Sequence, residues 1–538
     1  MRHHPYASFT ILRHHRPMRA IASLASRHPV WTLTLLGCGL MLPALLWGPG
    51  ATHSHLYNLM WTRHFGDQIA AGHFYERWLP HSFEGLGSPT FYFYPPLAYW
   101  LSGGLNAIGL SVTQAISCAG LLLLIASGLA MYAWLAARGT RPLIGAALYM
   151  VAPYHLFDLY VRGALAEFAG FVWLPLIALG IGWLPSRRGV ALLASAYAAL
   201  ILTHLPLATL TGLFLIAPLM LQRIVQDRAT LLPGLVAGLL AFALAAFYLL
   251  PAATLQAHMS TALLWTGKYQ ASVWSIWRED FELFPSIALG LVLLAWRARS
   301  LWTAITIGTA LAAINLIPLL WSIDLLDKVQ FPWRILAITE FAAVTAIAAC
   351  PPRRIIAFGA ALVLAFPFLL TGLIAHALLR MPVDYNRIER HQPDAPEYLP
   401  AGFDASLVDR VDRWTDLGRF ATLPRGDSIS VTRSGPVTMG HAAFPIWRVT
   451  RDGQAIASHG PLISFDATPG TYRIERVRLW QETAGAAVSL IALMILALLA
   501  GRRSISHLSK FPSYSPSQAL SDRPSTGRLR SRITGGDL

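Results

Sequence analysis

Charge is what this sequence most lacks. Only 13% of its 538 residues are Asp, Glu, Lys or Arg, while 55% are hydrophobic; a soluble domain carries about 25% charged residues. The deficit follows long apolar runs along most of the chain, the signature of repeated membrane spans, and this excludes a soluble enzyme folded round one core. Acid is scarcer than base, with 27 Asp and Glu against 42 Lys and Arg and a formal net charge of +15. Such a balance can mark a nucleic-acid partner. Here the arginines stand mostly in short pairs between apolar runs, which is the positive-inside pattern of a membrane protein, so nucleic acid is excluded. Cysteine is nearly absent. Cys38, Cys118 and Cys350 lie in apolar segments, and no CxxC or Cys/His cluster supports a disulfide framework or a zinc site. No convincing P-loop, GxGxxG or GxSxG motif is present either.

The apolar runs predict an all-α polytopic membrane protein of about twelve transmembrane helices. They fall at 30–48, 114–136, 142–156, 165–184, 189–203, 205–221, 230–253, 283–296, 301–321, 335–350, 355–378 and 484–500. The basic N-terminus (Arg2, Arg13, Arg16, Arg19, Arg27) precedes the first run. We read that run as an uncleaved span rather than a signal peptide, because the rest of the chain is also membrane-embedded.

Charge tests the count. With the N-terminus inside, every second loop should be basic, and those loops hold Arg138/Arg141, Arg187/Arg188, Arg223/Arg228, Arg297/Arg299, Arg353/Arg354 and Arg502/Arg503. The alternation holds only if 91–110 is not a span. Pro95-Pro96, the aromatics and the glycines of that stretch suit an interfacial or re-entrant segment on the outer surface. The outer regions are then a first loop at 49–113, a short polar turn at 157–164, Trp-rich loops at 254–282 and 322–334, and an insert at 379–480. Within the insert, short strand-like runs (Ser428 to Thr432, Trp447 to Thr450, Tyr472 to Leu479) are broken by Asp452-Gly453 and Pro469-Gly470, which predicts a small periplasmic β-sandwich. The Ser/Pro/Arg-rich tail from Ser504 has the composition of a disordered cytoplasmic segment. These boundaries divide the chain into a basic N-terminus (1–29), a transmembrane core (30–378), the insert, a last helix (484–500) and the tail (501–538).

Two constellations could carry chemistry. The first loop gathers His53, His55, Arg63, Asp67, Glu76, Arg77, Trp78 and Glu84 beside an aromatic segment. Arginines there could meet phosphate oxygens of a lipid head group, and a carboxylate could take a proton from an acceptor hydroxyl. The plainer alternative is an amphipathic interfacial helix anchored by Trp and Tyr. The second constellation is His155, Asp158, Arg162 and Glu167. Asp158 and Arg162 are spaced i,i+4 and share a face if the turn is helical. Charge at the edge of a span is costly and usually functional, although a structural ion pair would read the same. His204, before Pro206, is read as a helix-end residue or a ligand contact. Arg334, in Gln330 to Arg334, either reaches a phosphate or snorkels to the interface. Trp265, Lys268, Trp274, Trp277 and Arg278 suit an interfacial belt.

Five stretches carry a family resemblance: GHFYERWLPHSFEGLGSPTFYFYPPLAYW, APYHLFDLYVRGALAEF, THLP, QFPWR and FPIWRVTRDGQ…PGTYRIERVRLW. On these the chain resembles the bacterial integral membrane family called 6-pyruvoyl-tetrahydropterin synthase-related, whose layout is similar to that of the GT-C glycosyltransferases. The resemblance implies a multi-pass inner-membrane protein with cytoplasmic termini, transferring a sugar from a polyprenyl-phosphate donor to an outer-face acceptor in cell-envelope glycan assembly. It implies Asp158 as the base or acceptor-orienting group, Arg162 and Arg334 near phosphate, and His53 as a substrate contact. Arg63, Asp67, Glu76, Arg77, His155, Glu167 and His204 complete the candidate substrate-binding residues. The implied partners are a polyprenyl-phosphate-linked sugar and membrane lipids. A divalent metal is compatible with this chemistry, but no ligand set defines one. The family opens its first loop with Gly-His-Asp and places a His four residues after the Asp. Here the residues are Thr52-His53-Ser54 and Asn58, so the acid of that position is missing. The rival expectation is a non-catalytic scaffold that binds lipid-linked glycan or supports an assembly complex.

Overall fold

A computed structural model describes residues 27–261, 269–274, 283–407 and 418–501. Arg2, Arg13, Arg16, Arg19, Trp265, Lys268, Trp277, Arg278, Arg502, Arg503 and the tail from Ser504 lie outside the described residues. Among those described, eight helices are long and apolar enough to cross a membrane: Pro29–Trp47, Val112–Ala137, Pro142–Arg162, Leu165–Gly182, Leu205–Gln226, Pro332–Ala349, Arg354–Arg380 and Trp480–Leu499. Arg228–Leu244 and Ala246–Thr254 form a further pair bent by 69°. The remaining apolar runs expected to span are helical but short: Arg187–Ile201, Leu283–Ala298 and Leu301–Ala313. At 1.5 Å per residue, a helix of this length covers roughly 20 Å of a hydrocarbon core about 30 Å thick. The expected span 301–321 stops at Ala313 because Asn315 turns to φ 53° and Pro318 opens a separate short helix.

The segment excluded from the span count is short, as its prolines require. Thr90–Phe93 and Leu97–Ala107 are two helices separated by Pro95-Pro96. The second packs its buried Ala98, Tyr99, Ser102 and Gly103 against His55–Ala70. That longer helix buries Trp61 and Phe65. Trp61 and Trp78 are both enclosed, so the membrane-anchor alternative for the first loop does not describe them. Trp274, expected in an interfacial belt, is likewise buried, edge-on to Trp333 with centroids 4.6 Å apart.

Among the described residues, the helices bring the paired arginines to one end of the bundle. Arg223 donates to the Leu184 carbonyl at 2.7 Å and Arg297 to the Pro351 carbonyl at 2.9 Å. Arg138 lies over the rings of Trp134 and Trp302. At the opposite end the first loop joins the end of Arg354–Arg380, the turn at 158–164, the junction at 202–206 and the insert: Ala51 N–H donates to Leu378, His53 N–H to Val161, Leu97 N–H to Leu202, Phe83 N–H to Gln392 and, from the insert, Ala442 N–H to Leu86. The two most enclosed spans, Leu165–Gly182 (83% buried) and Pro332–Ala349 (89%), carry Glu167, Arg334 and Glu340, and the end of Pro142–Arg162 brings Asp158 and Arg162 to them.

The insert divides in two. Its second part is a small two-sheet antiparallel domain, as the turn dipeptides predict. The strands are β1 Ser428–Val431, β2 Gly435–Ala442, β3 Trp447–Arg451, β4 Gln454–Ile456, β5 Leu462–Ala467 and β6 Gly470–Arg476. One sheet has the order β1-β6-β3-β4 and the other pairs β2 with β5. Asp452 and Gly453 both take positive φ between β3 and β4, the geometry a two-residue hairpin needs. Met439, Ile463 and Phe465 from one sheet meet Val449, Tyr472 and Ile474 from the other in a single core. The first part, 381–403, is not β structure but a strap across the first loop. Trp61 Nε1 and Thr90 Oγ1 donate to Asp394 at 2.8 and 2.6 Å, His64 Nε2 lies 2.9 Å from Gln392 Oε1, and Arg63 pairs with Glu389 at 2.5 Å. The expected single insert therefore holds a strap and a β domain, because the polar side chains of 384–394 find their partners on the first loop.

Candidate functional site

Pro142–Arg162 reaches its polar end through a change of helix type. Ala152 precedes Pro153, which starts a fresh turn, and Asp158–Arg162 then forms a π-helical turn closed by Gly163 at φ 59°. π turns leave backbone groups unpaired and recur at functional sites. Here the Val161 and Arg162 carbonyls accept the N–H groups of His53 (3.2 Å) and Ser54 (3.0 Å). Asn58 Nδ2 donates to the Gly163 carbonyl at 2.6 Å, and Tyr99 O–H donates to Asn58 Oδ1 at 2.8 Å. Gly163 has no room for more than a hydrogen, since a Cβ would fall 2.0 Å from Thr52 Oγ1. The start of the first loop and the second constellation thus form one unit. Asn58 serves as a backbone clamp, and His53 is exposed beside the turn.

Below this unit lies a buried charge cluster. Asp158 and Arg162 are bonded at 2.6 Å, as their i,i+4 spacing suggests. Arg162 Nη1 also reaches Glu167 at 2.8 Å and donates to the Tyr154 hydroxyl at 2.9 Å. Arg334 Nε meets the same Glu167 oxygen at 3.0 Å, and its Nη1 donates to the Val329 carbonyl at 2.5 Å and to Gln330 Oε1 at 3.1 Å. Tyr154 O–H donates to the other Glu167 oxygen at 2.6 Å. Arg334 does not snorkel to an interface: it is buried on the most enclosed span, with Phe331 under its guanidinium at 4.9 Å. The ion-paired set of two carboxylates and two guanidinium groups is balanced in charge, as burial in low dielectric demands.

Groups without partners show what the cluster leaves open. Asp158 is 0% exposed, and its Oδ2 has no hydrogen-bond partner. Arg162 uses only Nη1 within the cluster; its Nη2 and Nε make no hydrogen bond among the described residues. His155 stacks on Phe171 at 3.9 Å with Nδ1 at the Tyr149 carbonyl, and its Nε2 is buried without a partner. His204 caps the helix that follows it: Nδ1 accepts the Leu207 N–H at 3.3 Å, and Nε2 faces Glu167 at 3.9 Å.

Reasoning from sequence missed two residues that frame the cluster. Tyr154 joins Arg162 to Glu167. Glu340 accepts the N–H groups of Tyr154 (2.6 Å) and His155 (3.1 Å), capping the turn that presents Asp158. The signal for Glu340 was present: it is a lone acid inside an apolar span, and such residues are functional or paired by default.

The other expected site residues lie apart from this cluster. Arg63 is half-exposed and paired with Glu389. Asp67 is exposed on the same helix. Glu76 and Arg77 belong to a second group with Arg476 and Glu482: Glu76 meets Arg476 at 2.8 Å and Arg77 meets Glu482 at 3.1 Å. No hydrogen bond or ion pair among the described residues joins the two groups. Nor, among those residues, do three or more His, Cys, Asp or Glu come together in a way that could hold a metal ion.

Fold and site define a multi-pass membrane protein with a small antiparallel β domain and a buried charge cluster at the end opposite its arginine pairs. No family model matches the chain, and no curated protein matches it. Among solved structures it is similar to arabinofuranosyltransferase AftD from Mycobacteria, at 17% identity over 65% of this chain and 27% of that one, with a TM-score of 0.38. A mutant form of the same enzyme gives 16% identity over 66% and 29%, with a TM-score of 0.39. The chain spans less than a third of the length of those proteins, and likeness at this score defines neither fold nor activity.

Proposed function

We propose that this chain is a GT-C-like membrane glycosyltransferase of a bacterial inner membrane, moving a sugar from a polyprenyl-phosphate donor to an outer-face acceptor in envelope glycan assembly. In this reading the twelve apolar segments form the membrane part, the termini and paired arginines are cytoplasmic, and the first loop, strap and β domain are outside. The observation that carries it is the unpartnered Oδ2 of Asp158 beside the spare donors of Arg162. A buried polar atom left unpaired costs about 1–3 kcal/mol, and such an atom calls for an explanation. A reacting hydroxyl supplies one. The donor is already activated by its phosphate, so the protein has to orient the acceptor, take its proton and neutralise the departing phosphate. Asp158 Oδ2 accepts the proton of the attacking hydroxyl as the glycosidic bond forms. The bond from sugar to phosphate breaks, and the phosphate leaves with its charge facing Arg162, with Arg334 behind it. Glu167, Tyr154 and Glu340 hold this frame, and His53 meets the substrate from the loop side.

A second reading is favoured by a specific observation. Asp158 and Glu167 together already pair with both arginines, and Ser54 stands where the family acid would be. On that view the chain is a non-catalytic scaffold for lipid-linked glycan. Mass spectrometry of lipid co-purified with the chain, combined with envelope-glycan analysis of an Asp158→Asn strain, tests both. A polyprenyl-phosphate sugar bound to wild type together with glycan loss in the variant supports the enzyme. The same lipid with unchanged glycan supports the scaffold. Absence of any such lipid at saturating supply overturns the donor assignment.

A further inference from the structure

The second polar group lines a cavity of about 520 Å³ where the first loop, the end of β6 and the first turns of the last helix meet; its walls include Tyr75, Glu76, Arg77, Arg476, Arg478 and Glu482. Its acceptors are fully used. Glu482 Oε1 receives Arg77 at 3.1 Å and the Tyr92 hydroxyl at 2.8 Å, and Oε2 receives the Leu479 N–H at 2.9 Å. Glu76 Oε1 receives the N–H groups of Arg77 and Trp78, and Oε2 receives Arg476 at 2.8 Å. Its donors are not used up. Arg77 is 9% exposed and contributes charge rather than open donors: its guanidinium lies 4.3 Å from the Tyr75 ring centroid, Nη2 donates to the Phe247 carbonyl at 3.1 Å, and Nε is buried without a partner. Arg478 is exposed and makes no ion pair or side-chain hydrogen bond among the described residues. Three guanidinium groups face two committed carboxylates, so the cavity carries one excess positive charge, and Arg478 brings the open N–H groups that can bind an anion.

Its position selects the anion. Arg478 stands two residues before Trp480–Leu499, a helix fit to cross the membrane. Trp480, the first residue of that helix, is 65% exposed, and Phe74, which lines the cavity, is 75% exposed. Exposed aromatics beside a span mark the head-group layer, and planar guanidinium forks match phosphate oxygens. We infer that the cavity bounded by Arg77, Arg476 and Arg478 is a phosphate site at the bilayer surface, taking the phosphate monoester head group of an anionic lipid. This site is separate from the Asp158 cluster and does not depend on the glycosyltransferase reading.

Native mass spectrometry of the full chain released from nanodiscs tests it, with phosphatidic acid as the lipid probe, phosphatidylcholine as the comparison and inorganic phosphate as the soluble competitor. Wild type should retain phosphatidic acid in preference to phosphatidylcholine. Arg478→Gln should weaken that retention by on the order of tenfold, the effect of losing one charge-assisted contact. Arg473→Gln, an exposed charge on β6 outside the cavity, should leave retention unchanged and so controls for net charge. The unfolding midpoint of each variant separates lost binding from lost folding, and Arg478→Lys, which keeps the charge, should restore part of the retention. Displacement of the lipid by millimolar phosphate, with the same dependence on Arg478, would keep the phosphate site but assign its source to solution. Equal retention in Arg478→Gln and wild type, or equal losses in Arg478→Gln and Arg473→Gln, would overturn the site.

Discussion

Replacing Asp158 with Asn separates catalysis from architecture, because the buried cluster is neutral and its members are unequally bonded. Asp158→Asn leaves one excess positive charge, but Arg162 keeps Glu167 at 2.8 Å and Tyr154 at 2.9 Å. The loss is close to one charge-assisted hydrogen bond, about 1.5–3 kcal/mol. Glu167→Gln leaves the same excess charge and also weakens the acceptor shared by Arg162, Arg334 and Tyr154. Breaking a buried pair in this way costs about 3–5 kcal/mol, out of a total stability of about 5–15 kcal/mol. Asp158→Asn should therefore accumulate in the membrane and Glu167→Gln should be sharply depleted. If Asp158 Oδ2 takes the proton, glycan transfer in Asp158→Asn falls by on the order of 10² or more. The double variant Asp158→Asn with Arg162→Gln is neutral again, so its unfolding midpoint should recover towards wild type while transfer does not. The assays are membrane abundance, unfolding midpoint in detergent and complementation of a deletion strain. Full function in Asp158→Asn would refute the base and make the scaffold the better account. Loss of accumulation in Asp158→Asn, with function fully restored in the neutral double variant, would reduce Asp158 and Arg162 to a structural pair.

Three further outcomes are expected. Reporter fusions after Arg188 and Arg299 should be cytoplasmic and fusions within 390–470 external; a cytoplasmic signal from the β domain would invert the topology. Gly163→Ala should destabilise the junction of loop and turn, because the residue sits at φ 59° with Thr52 Oγ1 2.0 Å from the new methyl group; a midpoint unchanged from wild type would disprove that packing. The strap should loosen in acid. Burial, chiefly, together with the nearby His81, holds the His64 pKa at about 4 against an ordinary 6.5. The unfolded chain thus binds the proton first, so the stabilisation is complete above about pH 6.5 and is lost as pH falls towards 4. At pH 5 the loss is about 2 kcal/mol. It should be read as faster proteolysis within 381–403, and His64→Gln should flatten the pH dependence; an equal slope in that variant would show that another group is responsible.

Much of this protein is local in origin and was legible in its residues. Apolar runs of helical length and paired arginines mark the helices and their two ends, because transfer of backbone and side chains into lipid is decided segment by segment. Pro95-Pro96 marks the break in the aromatic segment, and Asp452-Gly453 marks the hairpin, because each acts through its own backbone dihedrals. The i,i+4 spacing of Asp158 and Arg162 foretells their contact. What depends on residues far apart in the chain was decided only by the tertiary structure. Glu167 and Arg334 are 167 positions apart, as are no partners that helical spacing can identify. Arg63, Asp67, Glu76 and Arg77 read as one polar loop with His53, but the folded chain turns Arg63 to the strap and Glu76 and Arg77 to the base of the last helix. The strap holds one short helix, Tyr385–His391 capped by Asp384, which says nothing of where the strap docks. Its place follows from Asp394 and Gln392, whose polar groups need partners when buried, with Glu389 paired at the surface, and those partners stand more than 300 residues earlier in the chain.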